Sequence, residues 1–529
     1  MRYDRRDLLE VIDFNDKKEK FYITAAIPYV NAPPHIGHIL EFVQTDAIAR
    51  FQRLEGKEVF QLTGADENSL KNVQAAEKLR ITPQMLVDKN AEIFREATKI
   101  FGISLDAFQK TSNKAEHWPG IWNLWNRCTT AGDVYWKKYK GLYCVDCEQF
   151  YTESELVNGL CPEHKSQPEV VEEGNYFFRL SKYQNQLKEL IKTDKLKIVP
   201  QSRKKEVLNF IDRGLEDFSV SRSVKRAKGW GIPVPNDNTQ IIYVWFDALG
   251  TYLTGIGFGK NEKEFDKWWP ADVHVIGKGI TRFHAVYWPA ILLSAGLKLP
   301  KTIFIHGYVT VEGEKISKSL GNTIDPKLLA EQYGVDSIRY YLLNEIPPFD
   351  DGNFSEKRLI EKNNNELVAN FGNFVYRSLH FIRANFNSTI PEPDTLKVKD
   401  KNVLKKITVA KKKIQKYLLN FQFKDAIKTA LELSSAGNKY FQDKKPWETL
   451  KKDPDDCRNT LYVAANLVRS LTVCFSPFVP FACERLWQQL QLEGSASSQS
   501  WDDIDKIKLQ PGHRIGKIEP LFKKFEVSA

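Results

Sequence analysis

Residues 21–54 read FYITAAIPYVNAPPHIGHILEFVQTDAIARFQRL. The first seven residues are apolar and partly β-branched, which predicts a buried strand, and from Ile39 onward apolar residues recur at helical spacing. A strand, a turn and a helix in this order place free backbone N–H groups at the helix start, where an anion binds. Gly37 lets a ligand approach the backbone, and His35 and His38 can donate to phosphate oxygens. The stretch predicts a site for a nucleoside triphosphate, although an ordinary loop can carry the same short motif.

A second candidate element is a lysine-containing loop at residues 312–322, EGEKISKSLGN. It follows a predicted strand, Thr302 to His306, and glycines near both of its ends make it mobile. Mobility lets Lys315 and Lys318 close over a triphosphate and neutralise charge that grows in a transition state. Lysines on a surface turn are the simpler interpretation when the loop is taken alone.

Strand and helix patterns alternate over residues 21–117 and resume over residues 219–310. This alternation predicts an α/β fold, with a doubly wound, Rossmann-like parallel sheet that binds ligands at the carboxyl ends of its strands. Asp66 follows the second strand, so we expect it to face the same crevice as His35 and to hold an ammonium group. Residues 241–246 and 273–278 are predicted to be further strands.

The remaining boundaries follow from shifts in pattern. From about Ser355 onward only helical apolar spacing remains, which predicts an α-helical bundle. We expect an N-terminal arm at 1–20, the first half of the Rossmann-like domain at 21–117, a connective insertion at 118–218, its second half at 219–310, a lysine-loop and linker region at 311–362, and the bundle at 363–529.

The chain has seven cysteines, and three of them lie close together in the sequence. Cys144, Cys147, Cys161 and His164 form two ligand pairs separated by a short loop, which is the tetrahedral set that zinc prefers. Four protein ligands leave no open position, so one structural zinc ion is predicted in the insertion, with unligated cysteines as the alternative. The other cysteines, Cys128, Cys457, Cys474 and Cys483, are predicted to be buried thiols.

Composition limits the class of protein. The 529 residues suffice for several domains, and 42% hydrophobic with 27% charged residues is ordinary for a soluble globular protein. No segment is long and apolar enough to span a bilayer and no signal peptide is evident, so we expect no membrane association and a cytoplasmic location. The net charge of +10 favours a polyanionic partner, although a solvated basic surface explains it equally well.

The two signatures together resemble the HIGH and KMSKS motifs of class I aminoacyl-tRNA synthetases, with isoleucine at position 316 in place of the usual methionine. Three further strings resemble the methionyl-tRNA synthetase family of the single zinc-knuckle, bacterial type. They are AIPYVN at 26–31, YVWFDAL at 243–249, and RFH at 282–284 followed by Trp288-Pro289. The resemblance extends from Phe21 to Phe525. It implies ligation of L-methionine to initiator and elongator methionine tRNAs through a methionyl-adenylate, with ATP and Mg²⁺.

The resemblance also implies roles for individual residues. The catalytic set is His35, His38, Lys315 and Lys318, and ATP binding adds Gly37, Gly277 and Lys278. The methionine pocket is Ile27, Tyr29, Asp66, Trp245, Ala248, Leu249, Tyr252 and His284. In the bundle, the anticodon contacts are Asn373, Arg377 and Trp447, where amide and guanidinium groups read unstacked bases and an indole stacks on one. A substrate carboxylate is already a nucleophile at neutral pH, so this chemistry requires alignment and charge stabilisation and no protein base.

Two positions depart from the family pattern. Many relatives have His-Gly where this chain has Asn68-Ser69, and many have aspartate where this chain has Gly279. That aspartate normally pairs with an arginine, here Arg222. Asn68 and Ser69 are expected to cap the following helix.

Two alternatives follow. The chain could be a catalytically weakened relative that still binds tRNA in a regulatory or scaffold role, or it could charge cysteine, isoleucine or leucine. The intact motifs argue against the first alternative and the methionine-pocket strings against the second. Some relatives carry a further C-terminal dimerising module, so its absence predicts a monomer.

Overall fold

The computed structural model describes residues 18–144, 149–151, 153–162, 165–311, 313–315 and 323–526. Most of the predicted N-terminal arm lies outside these ranges, as do Cys147, His164 and Lys318. Of Lys315 only the backbone is described.

Strands and helices alternate through the first two thirds of the chain, and helices alone follow. The strands are β1 Lys20–Ala25, β2 Glu58–Ala65, β3 Ala107–Lys110, β4 Val134–Cys144, β5 Gln149–Tyr151, β6 Glu169–Phe178, β7 Lys197–Val199, β8 Phe218–Ser219, β9 Ser221–Ser223, β10 Pro233–Val234, β11 Asp237–Ile242, β12 Val273–Gly277, β13 Thr302–His306, β14 Val309–Val311, β15 Glu314–Lys315 and β16 Gly352–Phe354. The first nine α-helices are α1 Ile36–Leu54, α2 Leu70–Leu79, α3 Pro83–Ile100, α4 Trp118–Thr130, α5 Gln184–Lys192, α6 Gln201–Asp212, α7 Val244–Thr254, α8 Glu262–Trp268 and α9 Trp288–Ser294. The others are α10 Pro326–Tyr333, α11 Val335–Asn344, α12 Glu356–Lys362, α13 Asn373–Asn385, α14 Val398–Leu419, α15 Phe423–Lys444, α16 Pro446–Lys452, α17 Pro454–Phe475 and α18 Pro480–Gln489. Two π-helical segments, Phe283–Tyr287 and Asn363–Gly372, directly precede α9 and α13.

The central sheet has six parallel strands in the order β3-β2-β1-β12-β13-β7. The strand order reverses at β1, which pairs with β2 on one side and with β12 on the other. Ligands bind at such a switch point, outside the carboxyl ends of the strands. The predicted doubly wound α/β fold is confirmed. A ligand site is therefore expected in the space beyond Ala25 and Gly277, where β1 and β12 end.

The sheet is covered on both faces, because successive side chains of a strand point to opposite sides. In β1, Ile23 joins the core that contains α1, whereas Tyr22 joins the core that contains α7 and α9. The first of these cores continues without interruption into the C-terminal helices.

A buried ion pair joins the sheet domain to those helices. Arg339 on α11 donates to Asp46 on α1 at 2.6 Å and to the backbone carbonyls of Phe101, Pro477 and Phe478. Burial by itself would raise the pKa of the Asp46 carboxyl. The positive charges of Arg50 and Arg339 outweigh this effect and hold the pKa below its usual value. Removing one partner of such a pair leaves an uncompensated buried charge, so the pair specifies how the two parts are joined.

The segment between α4 and α7 contains a four-stranded antiparallel sheet in the order β5-β4-β6-β8. The bundle is helical as predicted, with the last described strand ending at Phe354. No helix in the described part of the chain combines the length and apolar character needed to cross a membrane.

One predicted element was wrong. The strand expected at residues 241–246 ends at Ile242, and helix α7 begins at Val244. A short apolar run fits a buried strand and a buried helix equally well, and every residue of α7 except Trp245 is buried. Consequently Trp245, Ala248, Leu249 and Tyr252 lie on a helix.

Candidate active site

A cavity of about 300 Å³ lies at the switch point of the sheet. It is lined by Ala26, Ile27, Pro28, Tyr29, His35, Gly37, His38, Glu41, Phe42, Asp66, Trp245, Gly277, Gly279, Ile280, His306, Gly307, Tyr308 and Val309. The prediction that His35, His38 and Asp66 face one crevice is confirmed, since all three line this cavity. They meet there because parallel strands bring their carboxyl ends to the same edge of the sheet.

The two imidazoles of the first motif form the cap of α1. His35 is the N-cap residue, and its Nδ1 accepts from the N–H of Gly37 at 3.1 Å, while Nδ1 of His38 accepts from the N–H of His35 at 3.1 Å. The rings stack with centroids 3.9 Å apart. The prediction of free backbone N–H groups was therefore wrong for Gly37, whose N–H is bonded to its own motif.

These bonds determine where the protons lie. A ring nitrogen that accepts a hydrogen bond carries no proton, so in each neutral imidazole the proton lies on Nε2. Burial, reinforced by the neighbouring His35, holds the pKa of His38 well below its usual value, and this ring is neutral at pH 7. The side chains of the motif therefore carry Nε2–H groups as hydrogen-bond donors.

Asp66 and Trp245 also line the cavity. Asp66 is only 2% exposed, and its backbone N–H donates to Pro28 at 2.9 Å, which fixes it beside β1. Trp245 stacks on Phe283 with centroids 3.8 Å apart and an interplanar angle of 5°. A buried carboxylate beside aromatic rings can bind an ammonium group next to an apolar side chain.

The other four predicted methionine contacts do not line the cavity. Ala248, Leu249, Tyr252 and His284 are all buried, and the ring of His284 lies 6.2 Å from that of Trp245. Tyr252 bonds Nε2 of His284 at 2.8 Å, and Nδ1 of His284 bonds the carbonyl of Ile280 at 3.0 Å. Because a carbonyl only accepts, His284 donates through Nδ1 and accepts the Tyr252 proton at Nε2. The two residues form an oriented neutral pair behind Trp245.

Burial lowers the pKa of His284 to about 4. The unfolded pKa is about 6.5, so folding favours the neutral ring; this stability is present above pH 6.5 and is lost as the pH falls toward 4. The loss reaches about 2 kcal/mol at pH 5. We expect the thermal unfolding midpoint to fall less between pH 7.5 and pH 5 in His284→Gln than in the wild type. Scanning fluorimetry measures the unfolding midpoint. His380→Gln, at an exposed histidine, is the control. An equal fall of the midpoint in the wild type and both variants would contradict the lowered pKa of His284.

Of the predicted residues at the nucleotide end, Gly277 lines the cavity and Lys278 does not. The ammonium of Lys278 binds Asp351 at 2.7 Å and lies 4.7 Å from the ring centroid of Tyr308. Lys278 thus contacts the residues around the cavity and is not part of its wall.

The lysine loop begins at the cavity. Val309 lines it, and β14 pairs antiparallel with β15, which places the backbone of Lys315 opposite Thr310. β14 also pairs in parallel with β16, so the start of the loop is anchored on both sides.

Asn68 and Ser69, which depart from the family pattern, both form hydrogen bonds within the fold. Ser69 caps α2 through a bond from Asn72, as predicted. Asn68 does not cap the helix: its amide donates to Asp247 at 2.8 Å and to the carbonyl of Thr111 at 3.0 Å. Asp247 also binds His117 at 2.8 Å, so Asn68 helps to join α7 to α4.

Arg222, in β9, is held by neighbouring residues of the chain. Its guanidinium donates to the hydroxyl and carbonyl of Ser219 and to the carbonyl of Ser221, and it lies 4.2 Å from the ring centroid of Tyr243.

The predicted anticodon residues lie on neighbouring helices of the bundle. Asn373, on α13, bonds Asn438 at 3.0 Å, and Arg377, one turn later, bonds Gln442 at 3.1 Å. The guanidinium of Arg377 lies 5.8 Å from the ring centroid of Trp447, which is 40% exposed. A half-exposed indole beside an arginine is a suitable platform for a base.

Two of the four predicted zinc ligands are described. Cys144 and Cys161 are each 1% exposed and belong to one small buried cluster with Tyr151. The predicted buried thiols Cys128, Cys457, Cys474 and Cys483 are confirmed as buried.

Sequence reasoning missed three polar residues of the cavity, Glu41, His306 and Tyr308. The first two are hydrogen-bonded to each other. Glu41 accepts from the N–H of Ala26 at 2.7 Å and binds Nε2 of His306 at 2.9 Å. Both residues carried a usable signal, because Glu41 follows His38 by three positions on α1 and His306 ends a strand of the sheet.

The family model described as "tRNA synthetases class I (M)" matches residues 21–169 and 163–379, and "Anticodon binding domain of methionyl tRNA ligase" matches residues 390–528. The methionine–tRNA ligase of Mesorhizobium japonicum is 40% identical over 96% of this chain and 98% of its own. The Mycobacterium tuberculosis methionyl-tRNA synthetase in complex with methionyl-adenylate superposes with a TM-score of 0.91 at 38% identity, covering 95% of this chain and 99% of that one. Its apo form superposes with a TM-score of 0.85 at 35% identity, covering 97% and 99%. The chain belongs to the methionyl-tRNA synthetase family.

Proposed function

We propose that this protein joins L-methionine to its tRNA in two ATP-dependent steps, and that the cavity at the switch point is where methionyl-adenylate forms. The observation that carries the proposal is that the imidazoles of His35 and His38 and the buried carboxylate of Asp66 line the same cavity. An amino acid and a triphosphate therefore have separate polar anchors in one crevice. Membership of the family supports the ligase activity and gives no support to a catalytically weakened relative.

In the first step the methionine carboxylate attacks the α-phosphorus of ATP and pyrophosphate leaves. Asp66 would bind the α-ammonium group, and Trp245 would contact the polarizable thioether side chain. The Nε2–H groups of His35 and His38 would donate to phosphate oxygens whose charge grows in the transition state. Lys315 and Lys318 would add charge neutralisation from the lysine loop, and Mg²⁺ would accompany ATP.

In the second step the terminal ribose hydroxyl of the tRNA attacks the adenylate, and AMP leaves. Because the family acts in translation, we infer that the enzyme works in the cytoplasm.

The test of the proposed function is ATP–pyrophosphate exchange with each of the twenty amino acids, followed by aminoacylation of initiator and elongator methionine tRNA. We expect exchange with methionine and charging of both tRNAs. Exchange with another amino acid alone, or tRNA binding without any exchange, would contradict the proposal.

We propose that Trp447 stacks on an anticodon base. Stacking of one base on an aromatic side chain contributes about 1–3 kcal/mol. Trp447→Ala is therefore expected to raise the KM for tRNA by about 10- to 100-fold and to leave pyrophosphate exchange unchanged, because exchange does not involve tRNA. Phe481→Ala is a matched control, since Phe481 is also 40% exposed and lies on another helix. An equal change in both variants would contradict the anticodon role.

We also propose that Cys144, Cys147, Cys161 and His164 hold one structural zinc ion. The donor set suits zinc, and the burial of Cys144 and Cys161 in one cluster supports it. Elemental analysis of the purified protein is expected to find about one zinc per chain, and Cys161→Ser to lose most of it. Cys128→Ser, at a buried cysteine on α4, should keep the metal. A metal-free wild type would contradict this proposal.

A further inference from the structure

Position 279 lies at the rim of the cavity and has no side chain. A Cβ at this position would overlap the hydroxyl oxygen of Tyr308 and lie 3.3 Å from its Cζ. The phenol therefore occupies the space that a side chain at position 279 would take. Both residues line the cavity, so the exchange alters the wall that a ligand meets.

The surrounding residues hold Tyr308 in this position. Its backbone N–H donates to Asp351 at 2.9 Å, and its carbonyl accepts from Gly352 at 2.9 Å. Lys278 lies against the ring with its ammonium 4.7 Å from the ring centroid, and it binds the same Asp351 at 2.7 Å. The Asp351 carboxylate thus binds both the backbone of Tyr308 and the lysine that lies against its ring. The hydroxyl position is set by the chain itself before a ligand arrives.

The placement of the other anchors indicates which part of a ligand would meet this hydroxyl. Phosphate donors are supplied by His35 and His38, and the ammonium partner by Asp66. Gly277, Gly279, Ile280 and residues 306–309 also line the cavity and are left for the nucleoside. The hydroxyls and ring nitrogens of a nucleoside are neutral, and a phenol can donate to them and accept from them.

We propose that the Tyr308 hydroxyl binds the nucleoside of ATP in this chain, in the place of the side chain that Gly279 lacks. The inference rests on the proposed function, since it names a contact within the same adenylate site.

Three variants test the contact by methionine-dependent pyrophosphate exchange. Tyr308→Phe removes one neutral hydrogen bond and is expected to raise the KM for ATP by about 5- to 10-fold, with the KM for methionine unchanged within about twofold. Gly279→Ala should have a similar effect, because its Cβ displaces the hydroxyl and offers no replacement. Gly279→Asp displaces the hydroxyl but supplies a carboxylate, so it should keep the wild-type KM for ATP within about threefold.

Coupling between the two positions gives the decisive comparison. In the Gly279→Asp background, Tyr308→Phe should change the KM for ATP by less than about twofold. Adenosine, used as a competitive inhibitor, should lose affinity in Tyr308→Phe by the same factor as ATP, whereas the KM for pyrophosphate in the exchange reaction should not change. Tyr376→Phe, at an exposed tyrosine on α13, is the control.

Several results would overturn the proposal. An unchanged KM for ATP in Tyr308→Phe would do so, as would an equal effect of Tyr308→Phe in both backgrounds. A rise in both KM values together with a lower unfolding midpoint would show a structural role instead. Should Gly279→Asp not fold, Tyr308→Phe and Gly279→Ala still decide the matter. A wild-type protein without exchange would instead refute the proposed function.

Discussion

Replacing His38 with asparagine is expected to lower the rate of methionine-dependent pyrophosphate exchange by about 100- to 1,000-fold, the usual result of removing one donor from a charge-stabilising site. Nδ1 of His38 accepts from the backbone of His35, so its only proton donor to a ligand is Nε2–H. The asparagine amide lies nearer to the position of Nδ1 and cannot reach where Nε2 points.

His38→Gln is the matched variant. The longer glutamine side chain brings an N–H close to the position of Nε2, and we expect it to keep at least about tenfold more activity than His38→Asn. The comparison is made on kcat, with unfolding midpoints measured for both proteins. Equal activity in the two variants would show that the Nε2 proton is not the group that matters.

The ring of His38 is neutral because burial lowers its pKa. Neither the wild type nor His38→Gln should therefore lose exchange activity because of this residue as the pH falls from 7.5 to 6. A wild-type rate that requires a charged imidazole would rise over this range, and that rise would contradict the assignment of the protons.

Asp66→Asn is expected to raise the KM for methionine by about 100-fold, with the KM for ATP nearly unchanged. The carboxylate is 2% exposed, so an ammonium group bound to it is shielded from water, and loss of a buried charge pair costs about 3 kcal/mol. Exchange measured over a range of methionine concentrations gives this result. Glu77→Gln is the control, because Glu77 forms an exposed ion pair with Lys228.

A methionine analogue without the amino group sharpens this test. The wild type should bind it far more weakly than methionine in calorimetry, whereas Asp66→Asn should discriminate between the two by less than about tenfold. If Asp66→Asn still discriminates as the wild type does, another residue binds the ammonium group.

The local sequence pattern was sufficient to predict several helices and strands. A helix was expected from Ile39 onward, and α1 begins three residues earlier, within the first motif. The strand expected at Thr302 to His306 is β13, whereas the short strand β14 between it and the lysine loop was not predicted. The pairing of the two motifs with the methionine-pocket strings led to the correct family. Periodicity failed at residues 241–246, because buried strands and buried helices are both apolar throughout.

The site was harder to anticipate, since lining a cavity depends on packing. Trp245 and Asp66 form part of the wall, but Tyr252 and His284 lie behind it as a hydrogen-bonded pair. Lys278 is adjacent in sequence to a residue of the wall and is nevertheless bound to Asp351. Neither outcome can be inferred from residue type or spacing.

The sequence alone was enough to identify the fold class, the family and eight of the eighteen residues that line the cavity, because these follow from spacing within short stretches. The tertiary structure alone placed the protons of His35 and His38 on Nε2, paired Tyr252 with His284, and put the Tyr308 hydroxyl into the space left by Gly279. Proton positions are set by hydrogen-bond partners, and the space beside a glycine is filled by whichever side chain packs there. Both depend on groups that are brought together only when distant parts of the chain fold against each other.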